Sequence, residues 1–223
     1  MRTTARLVVG IEAGEVNVLI IGATGGTGRI LLEQALEQGH EVTALARNPA
    51  AVAPRDYRPR VLEGNALDPE AVEAAVEGQD AVLSALGTRS RKPTTLFSAS
   101  TANLVAAMKK HGVRRLVCVT GIGAGDSKGH TGFLYDRVIL PFIVNNQYED
   151  KDRQEEIVKR SGLEWVIVRP ARLTNESATG EYRVFLSGDA YRATTISRED
   201  VAAFMLAQLS EDRYLHQTPV ISY

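Results

Sequence analysis

The feature that most constrains this chain is a glycine-rich turn, Gly22-Ala23-Thr24-Gly25-Gly26-Thr27-Gly28, set between an apolar run and a helical pattern. Before it, Val16–Ile21 (VNVLII) has the nearly continuous apolar character of a strand buried on both faces. After it, Ile30, Leu31, Ala35 and Leu36 share one stripe of a helix over 25–39, which Gly39 stops. A helix that opens on such a turn presents free amides and a partial positive charge, which suits a phosphate. Gly22 lets the chain turn sharply, Gly25 lets the backbone approach a pyrophosphate, and Gly28 lets the helix pack on the strand. Gly26 completes the cradle, and Thr24 and Thr27 add hydroxyl donors. The competing reading is a tight strand–helix turn that binds nothing.

The rest of the chain repeats the alternation. Strands are expected over 41–46, 60–63, 81–86, 115–120 and 165–168. Helices are expected over 68–77, 97–111 and 147–161, closed by Gly78, Gly112 and Gly162. Asp68 followed by Pro69 marks one helix start, and Ser197–Asp200 reads as a capping box that opens a helix to about Leu209. Strands separated by helices imply right-handed crossovers and a parallel sheet covered on both faces. The expected fold is therefore α/β, a Rossmann-type doubly wound parallel sheet in a single domain over 16–223, with a small substrate lobe around 170–188. The leader over 1–15 carries no periodic pattern and is expected to be disordered.

Which dinucleotide binds is read at the end of the second strand. An NAD enzyme carries an acid about 20 residues beyond the glycine turn, to hold the adenosine ribose. Here that position is Arg47. A guanidinium pairs with a 2′-phosphate through charge-assisted bonds, each worth about 1.5–3 kcal/mol, so about tenfold or better preference for NADP(H) is expected. A surface arginine in a loop is the bland alternative.

Composition removes other function classes. With 26 basic and 27 acidic side chains the net charge is −1, without the basic excess of a nucleic-acid face. The apolar run Val138–Val144 is far short of the roughly 20 residues that cross a bilayer, so neither membrane nor nucleic acid is an expected partner. Cys118 is the only cysteine, which excludes an internal disulfide and a cysteine-rich zinc site; a cytoplasmic protein, monomeric or weakly dimeric, is expected.

Further motifs make the sequence resemble the atypical short-chain dehydrogenase/reductases. Within them it is most similar to the flavin reductase/biliverdin reductase B type and the NmrA-like group. The matching residues are Gly22–Gly28, Leu86-Gly87-Thr88-Arg89, Pro93-Thr94-Thr95, Asn103–Lys109, Ser161-Gly162-Leu163 and Arg169-Pro170, spread over nearly the whole chain. The resemblance implies adenine contacts at Asn65, where the family usually has an acid, and Ala66. It implies that Leu86–Arg89 line the middle of the cofactor and that Thr120 and Gly121 approach the nicotinamide end. Pro170 and Ala171 would wall the nicotinamide ring, Lys151 would bind its ribose, and Arg172, at a position the flavin reductases fill with a histidine near the substrate, would face an acceptor.

One departure from the superfamily bears on mechanism. Its classical members place a tyrosine four residues before the active-site lysine, so that both project from one helix face. Among Tyr57, Tyr135, Tyr148, Tyr182, Tyr191 and Tyr214, none has a lysine four residues on; Tyr148 lies three before Lys151, and Gln147 holds the expected slot. Proton transfer by a tyrosine–lysine pair is therefore not expected, which disfavours a nucleotide-sugar epimerase or dehydratase. Hydride transfer survives to an acceptor that takes its proton from water, because the cofactor carries the hard chemistry. Flavins, quinones and linear tetrapyrroles are such acceptors, and Arg172 suits an anionic one. A non-catalytic NADP(H) sensor of the NmrA-like kind is the alternative.

Three other signals read blandly. Gly125-Asp126-Ser127-Lys128-Gly129 has the hydrolase nucleophile-elbow spacing but lacks a strand leading straight into the serine. His40, His111, His130 and His216 lack metal-ligand spacing. The apolar stretch 132–144, broken by Pro141, is either a core-packed helix or a lid or self-association surface.

Overall fold

The computed structural model describes residues 4–6, 15–52, 57–88, 90, 92–127, 145–189 and 191–223. The stretch 132–144 and Arg89 lie outside them. In chain order the elements are β1 (Thr4–Arg6), β2 (Asn17–Ile21), α1 (Gly26–Glu37), β3 (Glu41–Ala46), β4 (Arg60–Glu63), α2 (Pro69–Val76), β5 (Ala81–Ser84) and α3 (Leu96–His111). There follow β6 (Arg115–Val119), α4 (Asn145–Lys159), β7 (Glu164–Pro170), β8 (Arg172–Thr174), β9 (Glu181–Phe185), β10 (Thr195–Ser197), α5 (Arg198–Ala207) and β11 (Val220–Ser222). None of the described helices is long and apolar enough to cross a membrane.

The main sheet runs β1-β9-β11-β7-β6-β5-β2-β3-β4. From β4 to β11 neighbouring strands are parallel, and β9 and β1 close one edge antiparallel. The strict two-residue period of β2 splits its side chains between two cores. Val18 and Ile20 join Leu31, Leu32 and Ala35 of α1 and Val201, Ala202 and Met205 of α5. Leu19 and Ile21 join Val72, Ala75 and Val76 of α2, Leu104 and Met108 of α3, and Val158 of α4. Both faces of the sheet are therefore covered, as parallel pairing requires.

The caps that the sequence announces are made. Asp68 accepts from Glu70 N at 3.1 Å, and Ser197 Oγ accepts from Asp200 N at 3.0 Å. Gly112 takes a left-handed φ of +72°, which lets Val113 N donate back to Met108 O at 2.9 Å and close α3.

Two expectations are corrected, on the leader and on element boundaries, and the region of the expected lobe is placed. Within the leader, residues Thr4–Arg6 form an edge strand on β9 instead of being disordered, because main-chain bonds to an open edge need no hydrophobic pattern. In the region of the expected lobe over 170–188, β9 joins the main sheet beside β11, while β8 pairs with β10 in a two-stranded sheet. The outer boundaries also shift, with β5 ending at Ser84, α4 beginning at Asn145 and β7 reaching Pro170.

Candidate active site

The order of the sheet reverses between β2 and β5: β3 and β4 lie on one side of β2, and β5, β6 and β7 follow on the other. In open parallel sheets the carboxyl ends of the strands at such a switch point form the ligand crevice. The segments that leave those ends are the glycine turn after β2, Arg47 after β3, Leu86–Thr88 after β5, Thr120–Gly121 after β6 and Ala171–Arg172 after β7. Residues far apart in sequence are thus brought to one edge by topology alone.

The glycine turn is close-packed against backbone. A Cβ on Gly28 would lie 2.1 Å from Gly22 O, and one on Gly22 would lie 2.7 Å from Ala85 O, with φ at +87°. Neither position has room for a side chain, so α1 approaches β2 and β5 at backbone distance. Gly25 N donates to Gly22 O at 2.9 Å, and Thr24, Gly25 and Gly26 are exposed. Gly25 caps α1 without a side-chain bond, and no acid lies in the first turn. In α2 and α5 the corresponding amides are met by Asp68 and Ser197. In α3, Phe97 N donates to the buried carboxylate of Asp150 at 2.8 Å. The open, acid-free start of α1 fits a dinucleotide pyrophosphate.

Around this cradle, Arg47 is exposed at the end of β3 and pairs with no carboxylate among the described residues. Asn65 uses its amide oxygen to accept from Leu67 N at 3.1 Å, which leaves its amide NH₂ as the donor toward a ligand. Ala66 is buried, and its carbonyl accepts from Asn103 Nδ2 of α3 at 3.1 Å. Leu86, Gly87 and Thr88 follow β5, with Thr88 Oγ1 accepting from Ser90 N at 3.1 Å.

At the far end of the crevice, α4 supplies three side chains. Lys151 Nζ donates to Thr120 O and lies 5.3 Å from the centre of the Phe97 ring. Tyr148, one turn earlier, donates its hydroxyl to Ile122 O at 2.8 Å, and the Lys151 ammonium sits 5.5 Å from its ring centre. Both meet Gly121, where a Cβ would stand 3.2 Å from Tyr148 Oη and 3.6 Å from Lys151 Nζ. Burial pulls the Lys151 ammonium down to about 8, and the Glu155 carboxylate partly offsets this.

Glu155 lies beneath them. It accepts from Thr120 Oγ1 at 2.9 Å, from Arg169 Nε at 2.9 Å and Nη2 at 2.6 Å, and from Lys159 Nζ at 3.1 Å. A Cβ on Gly125 would reach within 2.4 Å of Arg169 Nη2, so the loop after β6 rests directly on this ion pair. On the adjacent strand Pro170 O accepts from Ile122 N at 3.1 Å, and Ala171 is buried. Arg172 is exposed, and no carboxylate among the described residues pairs with it.

A family model described as NAD(P)H-binding matches residues 22–212, the span that holds this crevice. The chain belongs to that family. Among the relatives of this NAD(P)H-binding protein is the photosystem II assembly factor Ycf39 of Synechocystis, 26% identical over 217 residues, which cover 92% of this chain. The chain spans only 62% of that relative. The uncharacterized sugar epimerase YhfK of Bacillus subtilis is 29% identical over 201 residues, which cover 87% of this chain and 88% of YhfK. Among solved structures, the anaerobillin reductase ChuY from Escherichia coli O157:H7 superposes with a TM-score of 0.76 at 24% identity, covering 92% of this chain and 96% of ChuY. That likeness is one of fold.

The candidate nucleophile elbow is described only as far as Ser127, and His130 and the stretch 132–144 lie outside the described residues. Ser127 is buried in a short turn, where its hydroxyl accepts from Gly123 N at 2.9 Å and donates to Ala124 O at 2.6 Å. A serine so engaged is not presented as a nucleophile. No cluster of metal-ligating side chains occurs among the described residues. The Cys118 thiol is buried and pushed well above its usual range by that burial.

Glu155, Asp150, Arg198 and the ion-pair role of Arg169 lie outside the expectations drawn from sequence. A signal existed for one of them. Arg169 interrupts the apolar run of β7, and an arginine inside a doubly covered strand requires a carboxylate partner. Glu155 carries no such mark among the many charges of α4.

Proposed function

We propose that the protein is an NADPH-dependent reductase that passes hydride to a flavin, quinone or tetrapyrrole-like acceptor. The observation that carries this reading is the state of Tyr148. Its hydroxyl proton is directed at Ile122 O, 2.8 Å away, and Lys151 beside it is engaged with the Thr120 carbonyl. That arrangement suits a lysine that orients a ribose, and it does not present a tyrosine as the acid of a carbonyl reduction. A bound nicotinamide dinucleotide supplies the hydride. The chain's own residues would do the rest. The α1 amides and the glycine turn hold the phosphates, Arg47 pairs with a 2′-phosphate, and Lys151 fixes the ribose. The wall Pro170–Ala171 keeps one ring face dry, and Arg172 stands where an anionic acceptor would arrive. The reductase activity named for ChuY supports the tetrapyrrole class as one such acceptor.

The test is to follow NADPH absorbance against FMN, riboflavin, a soluble quinone and biliverdin. Oxidation with at least one of them is expected, and Tyr148→Phe should retain turnover within a few-fold. Binding of NADPH with a flat trace throughout would favour a dinucleotide sensor instead. A loss of about a hundredfold or more in Tyr148→Phe, the scale of a missing general acid, would return Tyr148 to the chemistry.

A further inference from the structure

We infer that Arg198 is a pyrophosphate-binding residue, delivered to the phosphate loop from the start of α5. A Cβ built on Gly26 would lie 2.7 Å from Arg198 Nε and 3.1 Å from its Cδ. The guanidinium thus occupies the space that a side chain at Gly26 would fill, directly over the first residue of α1. Glycine at that position makes room for an arginine from elsewhere in the chain.

The charge around this contact is one-sided. The α1 start is the positive end of a helix, uncapped by any side chain and without an acid in its first turn. Arg198 brings a second positive charge to it. Its Nη1 donates to Thr174 O at 3.0 Å and to Asn175 Oδ1 at 2.7 Å, both neutral. The two acids that follow it in sequence are turned elsewhere. Glu199 accepts from Ala178 N at 2.7 Å, and Asp200 accepts from Thr179 N and Gly180 N, each at 3.0 Å. No carboxylate among the described residues neutralises Arg198. A guanidinium held against a helix N-terminus is repelled unless an anion comes between them, and two neutral oxygens fix it there nonetheless.

Place decides which anion. The 2′-phosphate position is at the end of β3, where Arg47 stands, whereas Gly26 belongs to the turn that faces the bridging phosphates. Thr174 ends β8, so the same side chain ties the segment after the nicotinamide wall to the phosphate loop. Dinucleotide binding would then draw that segment and α1 together through one guanidinium.

The inference rests on the dinucleotide occupying the Gly22–Gly28 turn, and the experiment separates the two. Calorimetric titration of the full chain with NADPH, and with adenosine 2′-monophosphate, which lacks the pyrophosphate, is done for wild type, Arg198→Ala and Arg198→Lys. Charge-assisted bonds of about 1.5–3 kcal/mol translate to about a ten- to hundredfold higher Kd for NADPH in Arg198→Ala. The Kd for adenosine 2′-monophosphate should move less than twofold, and Arg198→Lys should recover part of the loss. An unchanged NADPH Kd in Arg198→Ala overturns the role of Arg198 alone. Equal weakening of both ligands, or a lysine variant as poor as alanine with the same fall in melting temperature, makes Arg198 a structural tether and overturns it too. A wild type that binds neither ligand overturns the dinucleotide reading itself.

Discussion

Glu155 and Arg169 meet in a two-point ion pair, Nε to Oε1 at 2.9 Å and Nη2 to Oε2 at 2.6 Å, with side chains 1% and 2% exposed. The pair joins α4 to β7 directly beneath Thr120, so this end of the crevice is built on buried charge. Removing one member leaves the other desolvated and uncompensated, at a cost of about 3–5 kcal/mol. Glu155→Ala should therefore lower the urea midpoint strongly. The double variant Glu155→Met with Arg169→Met removes both charges and should regain much of that loss. Equal midpoints for the single and double variants would show that packing, not charge pairing, sets the stability here.

In its proposed role of holding the ribose, Lys151 should make cofactor affinity depend on pH. Its ammonium titrates near 8 in the folded protein, below the ordinary 10.5, because burial opposes the charge. The Glu155 carboxylate and the neutral, buried Cys118 thiol are its charged and titratable company, with the Tyr148 ring alongside. Above about 8 the folded protein has released a proton that the unfolded chain holds to about 10.5. This residue's contribution to stability consequently rises across that window. Affinity for an anionic dinucleotide should run the other way, with the Kd for NADPH climbing between about pH 7 and 9, roughly one decade either side of the midpoint. Lys151→Arg, which keeps its charge, should flatten that profile; a profile of wild-type slope in the variant would assign the titration to another group.

Much of this architecture is legible in the chain because its physics is local. The strands β2, β5 and β6 show as apolar runs, and Asp68, Ser197 and Gly112 punctuate the helices by side-chain and backbone geometry that sequence records directly. The strands β8, β10 and β11 are three residues each and carry too short a pattern to read. The alternation in β9, with Tyr182 buried between Glu181 and Arg183, is masked by its charges. The Arg198–Gly26 contact spans 172 positions, and a capping box announces where α5 begins without saying where its first side chain points. Long-range pairing of charges is set by topology, which periodicity does not encode.

Arg47 predicts the choice of dinucleotide. It stands exposed at the carboxyl end of β3, free of any carboxylate partner among the described residues, where an acid would accept from a ribose 2′-hydroxyl. Fluorescence titration should give a Kd for NADPH about tenfold or more below that for NADH. Arg47→Asp should invert the ratio, because a carboxylate repels the 2′-phosphate and accepts from the free hydroxyl. Equal constants for the two dinucleotides in the wild type would sink the argument.

Arg172 predicts the charge of the acceptor. It follows the buried Ala171 directly, in β8, and its side chain is exposed with no carboxylate partner, Glu176 included, among the described residues. With no partner among the described residues, its guanidinium has five donors to offer the acceptor proposed above. A phosphate or carboxylate on that acceptor would bind it in a two-point pair. Arg172→Ala should accordingly raise the KM for FMN about tenfold while leaving riboflavin, which lacks the phosphate, within about twofold, and the Kd for NADPH should stay near wild type. The comparison is internal, since the two flavins share a ring and differ in charge. If the variant weakens FMN and riboflavin by the same factor, Arg172 shapes the pocket without reading an anion; if NADPH binding falls as well, it belongs to the cofactor and not to the acceptor.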